Sequence, residues 1–233
     1  GFTLEKLRSA DSLLIVCNTK AEAKSLHDLL KDGDFTLFSL SADMCMAHRR
    51  DTLDKLKSTL GQSGQKVVCV STQVIEAGVD ISFGCVIRLS AGMDSVVQAA
   101  GRCNRSGEAG LGVLAPAYLV ECRQENLSHL PDIQLGKDAT QELLKEFELH
   151  PVQYGGRLDS GKAIGYYYRA LYRREPEGHH DYSVKDHPPL FSLLSLNSQY
   201  AQERSYYFNQ AFRLAGALFE VFEENTTDVV VPY

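Results

Sequence analysis

The sequence has no Cys-x-x-Cys pair, no Gly-x-x-x-x-Gly-Lys-Ser/Thr phosphate loop and no Gly-x-Gly-x-x-Gly loop. Nor does any apolar run approach the ~18 residues that cross a bilayer. These absences argue against a zinc ribbon, a self-sufficient phosphate-loop nucleotidase, a dinucleotide enzyme and a membrane-spanning chain. Basic residues are outnumbered, 24 Lys and Arg against 30 Asp and Glu, for a net charge of −6. A chain so charged does not coat nucleic acid non-specifically, and any contact must be local. The six cysteines are scattered, and Cys17, Cys69 and Cys85 lie in apolar runs where a thiol behaves as a small core hydrophobe. That implies a reduced, cytoplasmic setting. No signal-peptide pattern, internal repeat or low-complexity tract is visible, and Gly1 in place of Met points to a fragment or a processed chain.

What is present is a core-forming sequence of 233 residues, 44% hydrophobic, enough for one domain and an appendage. Short apolar runs at 12–17, 35–40, 66–70, 85–89 and 113–120 read as strands, the last with Pro116 marking a bulge or edge. Helical patterns fall between them. One spans 21–31, with Thr19 and Glu22 as a capping box and Gly33 just past its end. Another spans about 50–60, with Leu53, Leu56 and Leu60 at helical spacing. The alternation predicts an α/β fold, a parallel sheet with helices on both faces. After residue 122 the pattern becomes mostly helical: a short helix at 141–149, a glycine-containing connector at 151–159, an aromatic and basic run at 166–174, and an amphipathic helix at 205–223. The expected division is 1–122, a connector with a short helix at 123–160, and a C-terminal extension at 161–233.

The stretch 71–105 carries the chemistry. Gln98, Arg102 and Arg105 are spaced to share one helix face, and two guanidiniums beside an amide suit a polyanionic phosphate. Two plainer readings stand beside it: Ser95 with Gln98 fits a capping box, and surface arginine pairs are often inert. Arg88, Arg102 and Arg105 against Asp94 alone form a local positive patch. Open parallel sheets bind ligands beyond the carboxyl ends of their strands, so Asn18, Thr72, Asp80, Gln98, Arg102 and Arg105 are expected along that edge. His48 reads as a hydrogen-bonded loop residue. His179, His180 and His187 lack metal-site spacing, so no metal site is expected. Tyr168 and Tyr172 read first as a packing stripe and second as base-stacking groups.

The run Ser71-Thr72-x-x-x-Glu76-x-Gly78-x-Asp80 resembles motif V of superfamily 2 helicases, and Gln98-x-x-Gly101-Arg102-x-x-Arg105 resembles their motif VI. The wording of both, with SADMCMAHRR at 41–50 and FSLLSLNSQYAQ at 191–202, is similar to the signature helicase–nuclease of type I CRISPR systems, notably its I-C subtype. The resemblance implies a second RecA-like lobe at about 1–122. ATP with Mg²⁺ would sit between this lobe and an absent first lobe. Gly78, Asp80, Gln98, Arg102 and Arg105 would face the nucleotide, with Gln98 and the two arginines catalytic. Asn18, Thr19, Ser41, Arg49, Ser71 and Thr72 would contact single-stranded DNA. The implied partners are the first lobe, a nuclease domain and the surveillance (Cascade-type) complex of a prokaryotic cell. An isolated lobe that only binds protein or nucleic acid is the alternative, because half a site hydrolyses ATP poorly.

Overall fold

Residues 13–17 are all buried, yet their side chains divide between two separate cores, as the pleat of a strand covered on both faces requires. A computed structural model describes residues 2–7, 10–76, 79–105, 107, 110, 112–122, 125–176, 181–195 and 210–219. The elements are α1 Phe2–Lys6, β1 Ser12–Val16, α2 Lys20–Leu30, β2 Thr36–Leu40, α3 Met46–Leu60, β3 Val67–Ser71, β4 Cys85–Leu89, α4 Met93–Ala100, β5 Ala117–Val120, α5 Pro131–Leu149, α6 Gly161–Tyr172, α7 Leu190–Leu194 and α8 Phe212–Leu218. Short 3₁₀ turns cover Gln73–Ile75 and Pro151–Tyr154.

The five strands form one parallel sheet in the order β2-β3-β1-β4-β5. Leu14, Val16, Cys69 and Val86 pack on one face with Leu56 of α3 and Ala99 of α4. Leu13, Ile15, Val68, Val70 and Ile87 pack on the other with Leu7 and with Ala23 of α2. The α/β fold with helices on both faces is therefore as the sequence pattern implies. The capping box also forms, with Thr19 Oγ accepting from the Glu22 amide at 3.1 Å. Three bounds differ by more than one residue. Helix α3 starts earlier than 50, at Met46. The fifth strand is confined to Ala117–Val120, because Pro116 has no N–H to donate to the ladder.

Helix α5 is the third, and is much longer than the expected 141–149. It opens on Pro131, where a missing N–H costs nothing, and runs 19 residues. Gly136 hid it, since glycine weakens a helix by about 1 kcal/mol against alanine. The fold needs that glycine: a Cβ there would lie 3.0 Å from Gly92 Cα and 3.2 Å from Gly92 N. The close crossing lets Met93 of α4, Leu143 of α5 and Ala163, Tyr167 and Ala170 of α6 form one further core. Tyr167 donates to Asp94 Oδ1 at 2.6 Å, which ties α6 to the first turn of α4. The buried face of α6 is thus Ala163, Tyr167 and Ala170, whereas Tyr168 and Tyr172 are 38% and 54% exposed and make no inward stripe.

The chain divides into two compact units, the first built on residues 1–171 and the second on 172–230. In the second, Leu190 and Leu193 of α7 pack against Ala215 of α8, and Tyr182 lies 5.3 Å from the Phe219 ring. Of the helix expected at 205–223, residues 205–209 and 220–223 lie outside the described residues, and α8 occupies the middle. His179 and His180 also lie outside them.

Candidate nucleotide cleft and strand edge

Beyond Ser71 the chain turns through Gln73–Ile75 and delivers Glu76 inward. Its carboxylate lies 2.9 Å from Arg88 Nε, with 7% and 2% of the two side-chain surfaces exposed. Ser95 Oγ donates to Glu76 at 2.8 Å and accepts from Arg88 Nη2 at 2.8 Å. Arg88 Nη1 donates to Asn18 Oδ1 at 2.7 Å and to the Leu89 carbonyl at 3.0 Å. Burial raises the Glu76 pKa above the ordinary glutamate value, opposed by the Arg88 charge and the Ser95 hydrogen bond. Burial likewise lowers that of Arg88, opposed by Glu76. Arg88 is therefore no part of a surface patch. Ser95 is no capping residue either, since the N-cap of α4 is Gly92. A charged residue within an otherwise apolar strand was the visible signal for this network, and the sequence reading missed its partner.

Gln98, Arg102 and Arg105 do not share a helix face. Helix α4 ends at Ala100 with Gly101 as its cap, and Asn104 takes a left-handed φ of 47°. Gln98 stays exposed on the last turn. Arg102 is 5% exposed and turns inward, donating to the Val79 carbonyl and, at 2.5 Å, to the Glu76 carbonyl. Its Nε is buried and has no protein partner. Burial lowers the Arg102 pKa, as does the Arg105 charge, with Asp80 opposing them. Arg105 points outward: its Nε lies 3.0 Å from Asp80 Oδ1, with 42% and 83% of the two side-chain surfaces exposed. The Arg105 amide donates to Ser82 Oγ at 2.9 Å, and Phe83 pairs with Cys103 in a parallel bridge. Residues 79–83 and 102–105 thus run side by side. Gly78 lies outside the described residues.

Not all the expected residues gather at the carboxyl edge. Asn18 and Thr72 do follow β1 and β3. Asp80 instead lines a cleft of about 520 Å³ with Asp11, Ser12 and Gly84, which lie at the starts of β1 and β4, and with Gly61 at the end of α3. The crossing from one edge to the other is made by 79–84, which must return to the start of β4.

The strand-edge candidates divide by exposure. Asn18, Ser71 and Thr72 are 6%, 0% and 7% exposed, and their environment is internal. Asn18 Nδ2 donates to the Ser90 carbonyl at 2.9 Å and to Glu125 Oε1 at 2.5 Å; Ser71 Oγ donates to the Thr72 carbonyl. Thr19, Ser41 and Arg49 are part-exposed. Arg49 Nη2 reaches the Val74 carbonyl at 2.9 Å, and Lys20 pairs with Asp43 beside Ser41. Among the described residues no group of three or more His, Cys, Asp or Glu side chains could hold a metal ion.

A five-stranded parallel sheet that sets a motif V turn beside a motif VI turn defines a lobe of a superfamily 2 helicase. Residues 9–108 match the family model "CRISPR-associated nuclease/helicase Cas3, C-terminal", so this stretch is similar to the C-terminal helicase lobe of a Cas3-type enzyme. A Cas3 of Haloferax volcanii is 54% identical over 61 residues, 26% of this chain and 6% of that protein. One from Methanothermobacter thermautotrophicus is 27% identical over 153 residues, 63% of this chain and 17% of that protein. The chain therefore spans under a fifth of these relatives. The solved T. fusca Cas3 structure has the same fold, with a TM-score of 0.53 at 23% identity over 63% of this chain and 19% of that one.

Proposed function

We propose that this chain is the second RecA-like lobe of an ATP-dependent DNA helicase or translocase in type I CRISPR antiviral defence. In that reading it closes against a first lobe that carries the phosphate loop and holds Mg²⁺. Closure and opening then advance a single strand of invader DNA toward the nuclease domain, after recruitment by the surveillance complex.

The observation that carries the reading is the division of labour between the two motif VI arginines. The Arg102 fork is spent on the Glu76 and Val79 carbonyls, which holds the motif V turn against motif VI. Among the described residues Arg105 is ion-paired at the surface with the exposed Asp80 only. An exposed pair of this kind contributes ~0–1 kcal/mol and is readily exchanged. A γ-phosphate in the interlobe cleft would draw Arg105 away from Asp80 and place its planar fork on the charge that develops during phosphoryl transfer. Arg102 then acts by positioning, and its unpartnered Nε is the remaining donor it can offer. Gln98, exposed on the last turn of α4, is suited to orient the attacking water.

At the other edge, Thr19, Ser41 and Arg49 are the side chains open enough to reach a DNA backbone, with Asn18, Ser71 and Thr72 shaping the turns beneath. By this reading the 233-residue chain alone turns over ATP negligibly. In the two-lobe enzyme, Arg105→Ala is the test. An arginine finger predicts a fall in DNA-stimulated kcat on the order of 10³-fold. Unaltered turnover in a folded Arg105→Ala enzyme overturns the assignment.

A further inference from the structure

Beneath the Asn18–Thr19 turn lie two carboxyl groups that face each other. Glu125, from the segment after β5, has 1% of its side-chain surface exposed, and it converges on the same two-residue turn as Glu22 of the first turn of α2, one carboxyl bonded to Asn18 and the other to Thr19. Each already uses one oxygen: Glu125 Oε1 accepts from Asn18 Nδ2 at 2.5 Å, and Glu22 Oε2 accepts from Thr19 Oγ at 3.2 Å. The other two oxygens, Glu22 Oε1 and Glu125 Oε2, are buried and have no donor. Two buried acceptors in one such cluster can be satisfied by one proton held between the two carboxyl groups. Without it they are two like charges in a site of low polarity.

The surrounding charges do not replace that proton. Lys137 of α5 lies 3.6 Å from Glu125 Oε2, beyond hydrogen-bond range, and shares itself with Glu121 at 3.5 Å. Arg88 of β4 is committed to Glu76, Ser95 and Asn18. The Cys17 thiol is pushed up to about 12 by burial and by Glu22, with Arg88 opposing and with Glu125 and Cys122 adding to the rise, so it stays neutral. Glu22 itself is raised by burial and then by Glu125.

We propose that Glu125 is a positioning residue for the Asn18–Thr19 turn, and that it holds this turn through a single proton shared with Glu22. The role in strand binding rests on the function proposed above. The consequence is directional. With the proton in place, Glu125 grips Asn18 while Glu22 caps α2 through Thr19, and the turn is closed. Loss of the proton sets the carboxylates against each other and loosens both contacts, next to where an anionic strand would lie.

The test uses the 233-residue chain. In carboxyl-carbon NMR, Glu22 should titrate above the ordinary glutamate range, and Glu125→Gln, whose amide donates to Glu22 without a proton, should return it to that range. Glu22→Gln supplies the same hydrogen permanently. Affinity for a fluorescent thymidine 20-mer should therefore fall further in the native chain than in Glu22→Gln as pH rises from 5 to 8. A Glu22 titration that is ordinary in the native chain, or unmoved in Glu125→Gln, overturns the proposal. The NMR titration is read without DNA, so it decides the shared proton by itself. Absence of strand binding at every pH overturns the strand-edge reading instead.

Discussion

The Glu76 carboxylate and the Arg88 guanidinium meet at 2.9 Å inside the protein, and Ser95 closes the triangle. The pair ties the motif V turn to the carboxyl half of β4, and Ser95 extends the tie to α4. Removing one partner leaves an uncompensated buried charge. Glu76→Ala should cost about 3–5 kcal/mol in urea unfolding. Glu76→Leu with Arg88→Met removes both charges and should recover most of that loss. A cost below about 1 kcal/mol for Glu76→Ala would show that the pair does not organise the turn.

The two motif VI arginines should fail differently. Arg105→Ala should leave the melting temperature of this chain nearly unchanged, because Asp80 and Arg105 form an exposed pair. Arg102→Ala should lower it, since two carbonyls lose a buried charged donor, at about 1.5–3 kcal/mol for each such bond. Arg105→Lys should rescue two-lobe turnover poorly, as an ammonium cannot reproduce the fork. Equal thermal shifts in the two alanine variants would contradict the inward and outward assignment.

Gly136→Val places atoms where Gly92 Cα and N already stand at 3.0 and 3.2 Å from a Cβ. Overpacking of this kind costs about 1–3 kcal/mol. Denaturant midpoints of the variant and the native chain measure it, and an unchanged midpoint would mean that the α4–α5 crossing is not close-packed.

Glu22 and Glu76 both have pKa values raised above 4.5, chiefly by burial. In the folded protein each keeps its proton at pH values where the unfolded chain has lost it. Their contribution to stability is therefore full below pH 4.5 and is lost as pH rises through the folded values. The unfolding free energy followed upward from that pH should fall less steeply in Glu22→Gln than in the native chain. Identical slopes would remove Glu22 as a source of the dependence.

Thiol reactivity should follow burial. Cys17, Cys69 and Cys85 are 0–1% exposed, and burial raises the pKa of all three. Cys45 and Cys122 are part-exposed. A disulfide reagent at pH 8 should label Cys45 and Cys122 first. Early labelling of Cys69 would mean that the sheet opens.

The local grammar of the chain was legible in its sequence. Runs such as SLLIV and VVCVS, buried on both faces, mark strands wherever they occur, and Thr19 with Glu22 caps α2 because the partners are three residues apart. The motif V and motif VI spellings located the two turns that the fold sets side by side, each lying within about ten residues. What escaped the sequence depends on groups distant along the chain. Arg88 meets Asn18 across 70 positions, Asn18 meets Glu125 across 107, and Arg102 reaches back 26 to Glu76. Helical spacing placed Arg102 and Arg105 on one face. The tertiary structure ends α4 at Ala100, sends Arg102 inward to satisfy buried carbonyls and leaves Arg105 outside. A buried polar group must find a partner wherever the fold provides one, and that choice is made only when the sheet has assembled.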